Sequence, residues 1–152
     1  MDRRHPHRLT EDAYTEPNHV IFLTICAKDR HPLFADPSSA RSLMCVAEEV
    51  FSAMLSAICI MPDHVHLVVA TVEGRRFTRV FRQFKGKASY VLHRLGAARD
   101  IWERSIWDRH ARRDEDVSAM VEYVLSNPVR RELCSRPEDW PYSKYYGFPW
   151  TR

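Results

Sequence analysis

The sequence predicts an α+β fold of the ferredoxin-like kind, an antiparallel sheet with helices on one face, and three features support this prediction. Short runs of β-branched and aromatic residues indicate strands, and longer segments with apolar residues three and four apart indicate helices. The two kinds of segment follow one another as β-α-β-β-α-β-α. At 152 residues the chain fits a single domain, with an N-terminal arm over residues 1–18 and an aromatic tail over residues 137–152.

The first half of the chain predicts a strand, a helix and a hairpin. Compact runs rich in Val, Ile and Phe indicate buried strands, and a Met-Pro-Asp break separates the second strand from the third. Ser38 or Ser39 is the expected cap of the helix, whose apolar stripe continues to about Met54. The expected strands are residues 20–26, 55–60 and 64–70.

The second half predicts two further helices with a strand between them. Residues 77–95 keep a helical spacing of apolar residues and place arginines and lysines on the outward side, which indicates a long amphipathic helix. Residues 101–113 alternate loosely between large apolar and polar side chains and predict the fourth strand. A final helix is expected to begin with the acids at residues 114–116 and to carry an apolar stripe between Val117 and Val124, and Pro128 should end or kink it near Asn127.

Composition and charge narrow the class of protein. Apolar residues make up 45% and charged residues 28%, as in ordinary globular proteins, and no apolar run approaches the roughly 18 residues of a membrane span. The four cysteines match neither a paired zinc site nor a disulfide framework, so a reducing cytoplasm is the expected location. The net charge is only +3, but residues 74–113 carry twelve Lys or Arg against three acids, which favours a polyanionic partner.

A His-x-His pair on the third strand is the first candidate for chemistry. Alternate residues of a strand point to the same face, so His64 and His66 are expected to lie close enough to share one divalent ion. Taken alone, such pairs are more often ordinary surface or core histidines.

Tyr123 and Asn127 form the second candidate. They are four residues apart on the final helix, so they should lie one above the other on a side distinct from the apolar stripe. The amide of Asn127 is a possible third metal ligand. The ordinary alternative is a half-buried helix tyrosine and a plain residue near the end of a helix.

The two pairs make chemical sense together. A cation held by two imidazoles and an amide keeps positions free for phosphate oxygens, so it can polarise a phosphodiester while a phenol attacks. A phenol has an ordinary pKa of about 10, so the nucleophile needs help from the metal, a base or a cation. Lys85, Lys87 and Arg130 are candidates for that help.

These motifs resemble a known family. The segment from Met61 to Val69 resembles the signature of HUH transposases, and that from Tyr123 to Arg130 resembles the tyrosine-bearing helix of REP-associated tyrosine transposases. The resemblance covers about Val20 to Tyr145. Further matching segments are Pro32-Leu33-Phe34, Phe84-Lys85-Gly86 and residues 137–143.

The resemblance implies a metal-dependent endonuclease and strand transferase that acts on single-stranded DNA at hairpin-forming repeats. It implies that His64 and His66 bind Mg or Mn, and that Asn127 takes the place where related enzymes often have a Gln ligand. Tyr123 would form a 5′-phosphotyrosine, which a 3′-hydroxyl attacks later. The resemblance leaves a monomer and a homodimer open.

Basic and aromatic residues are the expected contacts to hairpin DNA. Unpaired bases are expected to stack on aromatic residues such as Trp102, Trp107 or those of the tail, although packing in the core is an ordinary alternative for each. The expected DNA-binding residues are Arg75, Arg79, Arg82, Lys85, Lys87, Arg109, Arg112 and Arg130.

Two other functions compete with strand transfer. A domesticated DNA hairpin-binding protein would keep the fold and the basic residues without cutting, and the presence of His64, His66 and Tyr123 argues against it. A histidine-triad nucleotide hydrolase would need a third alternating histidine, where this sequence has Val68.

Overall fold

The computed structural model describes residues 16–98, 100–112 and 117–151, so most of the expected N-terminal arm lies outside the described residues. No helix within these ranges is long and apolar enough to cross a membrane. The strands are β1 (His19–Ala27), β2 (Leu55–Met61), β3 (His64–Ala70), β4 (Trp102–Arg112) and β5 (Ser143–Tyr145). The helices are α1 (Pro37–Phe51), α2 (Phe77–Arg94), α3 (Val117–Leu125) and α4 (Asn127–Arg130).

The five strands form one sheet in the order β4-β1-β3-β2-β5. Every neighbouring pair is antiparallel, and β2 and β3 form the expected hairpin. This arrangement confirms the predicted α+β class and its antiparallel sheet. The predicted strand over residues 64–70 has the same bounds as β3.

The sheet is apolar on both faces, and each face carries its own core. Val65, Leu67 and Val69 of β3 belong to the core that α1 and α2 complete. Val68 and Ala70 belong to a second core, which includes the apolar stripe of α3. Because successive side chains of a strand point to opposite faces, α3 lies on the face opposite α1 and α2. The first two helices share a face, as expected, and the final helix covers the other.

Local chemistry determines where α1 begins and where α3 ends, and a proline lies close to each of these points. Asp36, and not Ser38 or Ser39, caps α1, because its carboxylate accepts a hydrogen bond from the backbone N–H of Ser39 at 2.9 Å. Pro37 then occupies the first turn, where a missing N–H costs nothing. Pro128 interrupts the final helix as expected, since α3 ends at Leu125 and the short α4 begins at Asn127.

The aromatic tail contributes a strand that was not predicted. Residues of β5 pair with β2, and the backbone N–H of Ile60 also donates to the carbonyl of Tyr142 at 2.8 Å. The indole N–H of Trp140 donates to the carbonyl of Ile60 at 2.9 Å. The tail therefore covers the outer side of β2, next to the strand that carries the histidines.

Candidate active site

The two histidines of β3 face each other across a short gap. Their Nε2 atoms are 3.1 Å apart and their rings are nearly perpendicular, at 88°. Both project to the face of Val68, the face that α3 covers. The predicted pairing of His64 and His66 is thus present in the fold.

His64 is oriented by an acid that the sequence reasoning missed. Its Nδ1–H donates to Oδ1 of Asp63 at 2.6 Å, and Nε of Arg30 donates to the other oxygen, Oδ2, at 2.9 Å. Arg30 reaches back through a tight turn in which it and Asp29 both have a φ of 55°. That left-handed conformation is costly for residues with a side chain, and strain of this kind is often found at functional sites. An acid directly before the histidine was the available signal in the sequence.

His66 is oriented from the neighbouring strand. Thr24 of β1 lies directly opposite His66, and its hydroxyl is hydrogen-bonded to Nδ1 of His66 at 2.9 Å. With Nδ1 engaged in both histidines, the two Nε2 atoms are left to face a shared ligand. Metal-binding histidines are commonly held by a second hydrogen bond of this kind.

The surroundings of both imidazoles favour the neutral form over the charged form. Burial lowers the pKa of His64, and the hydrogen bond and charge of Asp63 oppose this effect only in part. Burial also lowers the pKa of His66, to about 3, with help from the positive charges of His64, Arg130 and Arg131. Burial works against ionisation of Asp63, but the hydrogen bond and charge of His64 and the charge of Arg30 outweigh it and lower the pKa. The neutral imidazole is the form that binds a metal.

Tyr123 and Asn127 take different positions relative to solvent. Tyr123 is 60% exposed, whereas Asn127 is buried and its Nδ2 has no hydrogen-bond partner among the described residues. The guanidinium of Arg130 lies 3.7 Å from the centre of the Tyr123 ring, and its Nη2 donates to the carbonyl of Tyr123 at 3.0 Å. Arg130 therefore fixes the tyrosine from one side.

Tyr123 lies near the two histidines but does not contact them directly. Among the described residues, no hydrogen bond or ring contact joins Tyr123 to His64 or His66. Arg130 links the two groups, since it stacks on Tyr123 and its charge acts on His66.

The two imidazoles are suitable ligands for one divalent metal. A separation of 3.1 Å allows one cation to contact both Nε2 atoms at ordinary ligand distances of about 2.1 Å. Within the described ranges, no group of three or more His, Cys, Asp or Glu residues is placed to hold a metal. A third protein ligand within these ranges would therefore be of another residue type. The unpartnered atom of the buried Asn127 is its amide nitrogen Nδ2, which is a hydrogen-bond donor and not a metal ligand.

The basic residues predicted to bind DNA lie on two sides of the sheet. Arg79 and Arg82 are exposed on α2, on the face away from the histidines. The guanidinium of Arg75 donates to the carbonyls of Phe51 and Val50 at 2.8 and 2.9 Å, so it closes the end of α1.

The remaining predicted DNA contacts differ from one another in their surroundings. Lys87 is paired with Glu49, and Lys85 lies 5.9 Å from the ring of Phe81, with a pKa that burial lowers. Arg109 is exposed on β4. Arg130 is the member of this set that lies beside Tyr123. The side chain of Arg112 lies outside the described residues.

Comparison with known proteins gives a consistent set of relatives. The family described as Transposase IS200 like matches residues 15–115, a range that contains both histidines and ends before Tyr123. A proposed REP-associated tyrosine transposase of Haemophilus influenzae is 29% identical over 140 residues, covering 84% of this chain and 80% of that protein. The REP-associated tyrosine transposase of Escherichia coli is 27% identical over 93 residues, which cover 60% of this chain and 54% of that protein.

A solved structure supports the fold. It is that of a REP-associated tyrosine transposase bound to a REP hairpin, and it matches with a TM-score of 0.68 and 22% identity. The match covers 86% of this chain and 78% of that one.

Proposed function

The chain belongs to the family of IS200-like transposases, and on that premise we propose that it cuts and rejoins single-stranded DNA through a 5′-phosphotyrosine at Tyr123. In this proposal His64, His66 and Asn127 hold a divalent metal, Mg or Mn. The observation that carries the proposal is the pair of Nε2 atoms 3.1 Å apart, each ring held at Nδ1 by Asp63 or Thr24. Such an arrangement leaves both Nε2 atoms close enough to bind one cation.

The chemistry is an exchange of phosphodiester bonds. The phenol oxygen of Tyr123 attacks the phosphorus, the bond from phosphorus to the 3′-oxygen breaks, and the new bond joins the tyrosine to the 5′ side of the DNA. The phenol proton passes to solvent or a base, and the departing 3′-oxygen takes up a proton. Rejoining reverses these steps with a 3′-hydroxyl as the attacking group. A bound metal would polarise the phosphate and stabilise the charge that develops on its oxygens.

The residues of the chain have distinct tasks in this reaction. Asp63 and Thr24 keep the imidazoles in one orientation. Arg130 holds the tyrosine ring and brings a positive charge near the reacting phosphate. The gap between Tyr123 and the histidines is where the phosphate would have to lie for both to reach it.

The proposed substrate is a single strand that folds into a hairpin. A neighbour of the same fold was solved with a REP hairpin, and the cations Arg30, Arg130 and Arg131 act on the histidines of this chain. Positive charge close to the site suits a phosphate backbone.

The test is the formation of a covalent adduct. Purified protein is incubated with labelled single-stranded hairpin oligonucleotides, with Mn or with EDTA, and separated under denaturing conditions. We expect a metal-dependent adduct in the wild type and in Tyr90→Phe, and none in Tyr123→Phe. Tyr90 is a matched control because it is 62% exposed, close to the 60% of Tyr123, and lies on α2 on the other face. An adduct that persists in Tyr123→Phe would assign the nucleophile elsewhere, and tight binding without any adduct would favour a non-cleaving hairpin-binding protein.

A further inference from the structure

The edge strand β4 places one large aromatic ring on the histidine face of the sheet. Trp107 lies opposite Thr24 of β1, and Thr24 lies opposite His66 of β3. Directly opposed residues in antiparallel strands project to the same side, so the three side chains form one row across the sheet. Trp107 as a residue is 48% exposed.

The other three tryptophans are engaged in packing. Trp102 packs against Phe34 at 5.4 Å between ring centres, and its indole N–H donates to Ser89 at 3.1 Å. Trp140 donates to a backbone carbonyl of β2, and Trp150 stacks on a phenylalanine of the tail at 5.0 Å. Of the four tryptophans, Trp107 is therefore the one that is both exposed and on the histidine face.

The positions in this row also give the distance between the backbones of Trp107 and His66. Neighbouring strands are about 4.8 Å apart, so the backbones of Trp107 and His66, two strands apart, are separated by about 10 Å. That is the length of about three stacked nucleotides at 3.4 Å each. A base that lies on Trp107 would belong to a nucleotide very near the phosphate at the histidines.

The charge around Trp107 suits the backbone of a nucleic acid. Arg109 lies two residues farther along β4, opposite Phe22, so it projects to the same face and is exposed. Glu103, an acid of the same strand, is paired with Lys28 at 3.6 Å. An exposed ring beside an exposed arginine is the combination that single-strand binding proteins use for base and phosphate.

We propose that Trp107 and Arg109 form a subsite for the unpaired nucleotides that flank a DNA hairpin next to the cleaved phosphate. A base stacks on the indole of Trp107, and Arg109 contacts a phosphate of the same segment. This inference rests on the proposed function, because it takes single-stranded DNA at the histidines as the substrate. It adds which residues of the chain hold the unpaired nucleotides.

The test is a binding measurement that needs neither metal nor cleavage. Fluorescence anisotropy in EDTA compares a labelled DNA hairpin that has a short mixed-sequence single-stranded flank, on its 5′ or its 3′ side, with the same hairpin without a flank. We expect Trp107→Ala to lose about 5- to 100-fold in affinity for one flanked hairpin, and to bind the flankless hairpin as the wild type does. Trp107→Phe should retain most of the affinity, because it keeps an aromatic face.

Two further variants complete the design. Tyr90→Ala removes an exposed ring from the opposite side of the sheet and should leave both affinities unchanged. Arg109→Gln should reduce the slope of log affinity against log salt by about one for the flanked hairpin. Circular dichroism and the midpoint of thermal unfolding check that each variant is folded.

The outcomes separate this inference from the proposed function. Equal losses on both hairpins in Trp107→Ala, no loss on either, or no retention of affinity by Trp107→Phe would overturn the subsite. If the flank-dependent loss occurs but no covalent adduct forms at Tyr123, the subsite holds and the cleavage proposal fails. If the adduct forms and Trp107→Ala binds both hairpins normally, the cleavage proposal holds and the subsite fails.

Discussion

Replacement of Asp63 by Asn tests whether the histidine pair is a metal site. Asp63 accepts the Nδ1–H of His64 at 2.6 Å and is itself held by Arg30 at 2.9 Å, so both of its oxygens are engaged. The amide of Asn keeps the shape and one acceptor oxygen but removes the negative charge. The charge matters because it makes the opposite nitrogen of His64, Nε2, a stronger donor to a cation.

The expected loss follows from the role of such partners in known metal sites. Removal of a hydrogen-bonded partner of a ligating histidine lowers metal affinity by about 10- to 100-fold. Since Asn retains the acceptor, we expect the lower end, about tenfold or about 1.4 kcal/mol. Thr24→Val is the comparison for His66, and its effect should be smaller because the lost hydroxyl is neutral.

Isothermal titration of the purified protein with Mn measures both affinities directly, without DNA. Unfolding of the metal-free proteins is measured alongside, so that a loss of affinity is not mistaken for a loss of fold. If Asp63→Asn binds Mn as tightly as the wild type while remaining folded, the carboxylate has no part in a metal site. If neither protein binds Mn at all, the proposed metal centre is wrong.

Three further variants test other parts of the site and of the fold. Asn127→Leu removes a buried amide whose Nδ2 lacks a partner. We therefore expect the free energy of unfolding of the metal-free protein, measured by thermal unfolding, to rise by about 1 kcal/mol, and Mn to bind more weakly. A lower stability would contradict this account. Arg130→Lys loses the planar stack on Tyr123, and single-turnover cleavage should fall about two- to fivefold with unchanged stability. An unchanged cleavage rate would remove Arg130 from the site. Arg75→Met leaves the carbonyl of Phe51 without its partner and should cost about 1 kcal/mol in urea unfolding while DNA affinity stays the same. A selective loss of DNA affinity would contradict this structural role and support Arg75 as a DNA contact.

The sequence predicted β3 well because its limits are marked by local chemistry. A Pro-Asp pair precedes it and polar residues follow it, so the strand has few alternatives. The cap of α1 could have been read in the same way, since Asp36 stands directly before a proline at the start of a helix. β5 had no comparable signal, because its three residues become a strand only through pairing with β2, far away in the chain.

The sequence pattern does not show where α2, the helix with exposed arginines, lies relative to the histidines. The odd positions of β3 are apolar, and so are the even positions 68 and 70, so periodicity alone does not decide which helix covers which face. The sequence therefore did not show whether the expected metal ligands and the basic residues of α2 lie on the same face of the sheet. In the fold, Arg79 and Arg82 lie on the side of the sheet that His64 does not face.

This separation limits how one DNA strand can contact both regions. A strand bound at His66 reaches α2 only by passing around an edge of the sheet, and α2 lies near the edge formed by β4, since Trp102 of β4 donates a hydrogen bond to Ser89 of α2. Trp107 and Arg109 stand on that same edge strand, on the histidine side. If the arginines of α2 bind the same molecule as the histidines, the path runs along β4, so the subsite would guide the strand as well as hold a base. If they do not, the charge of α2 serves a contact that is independent of cleavage.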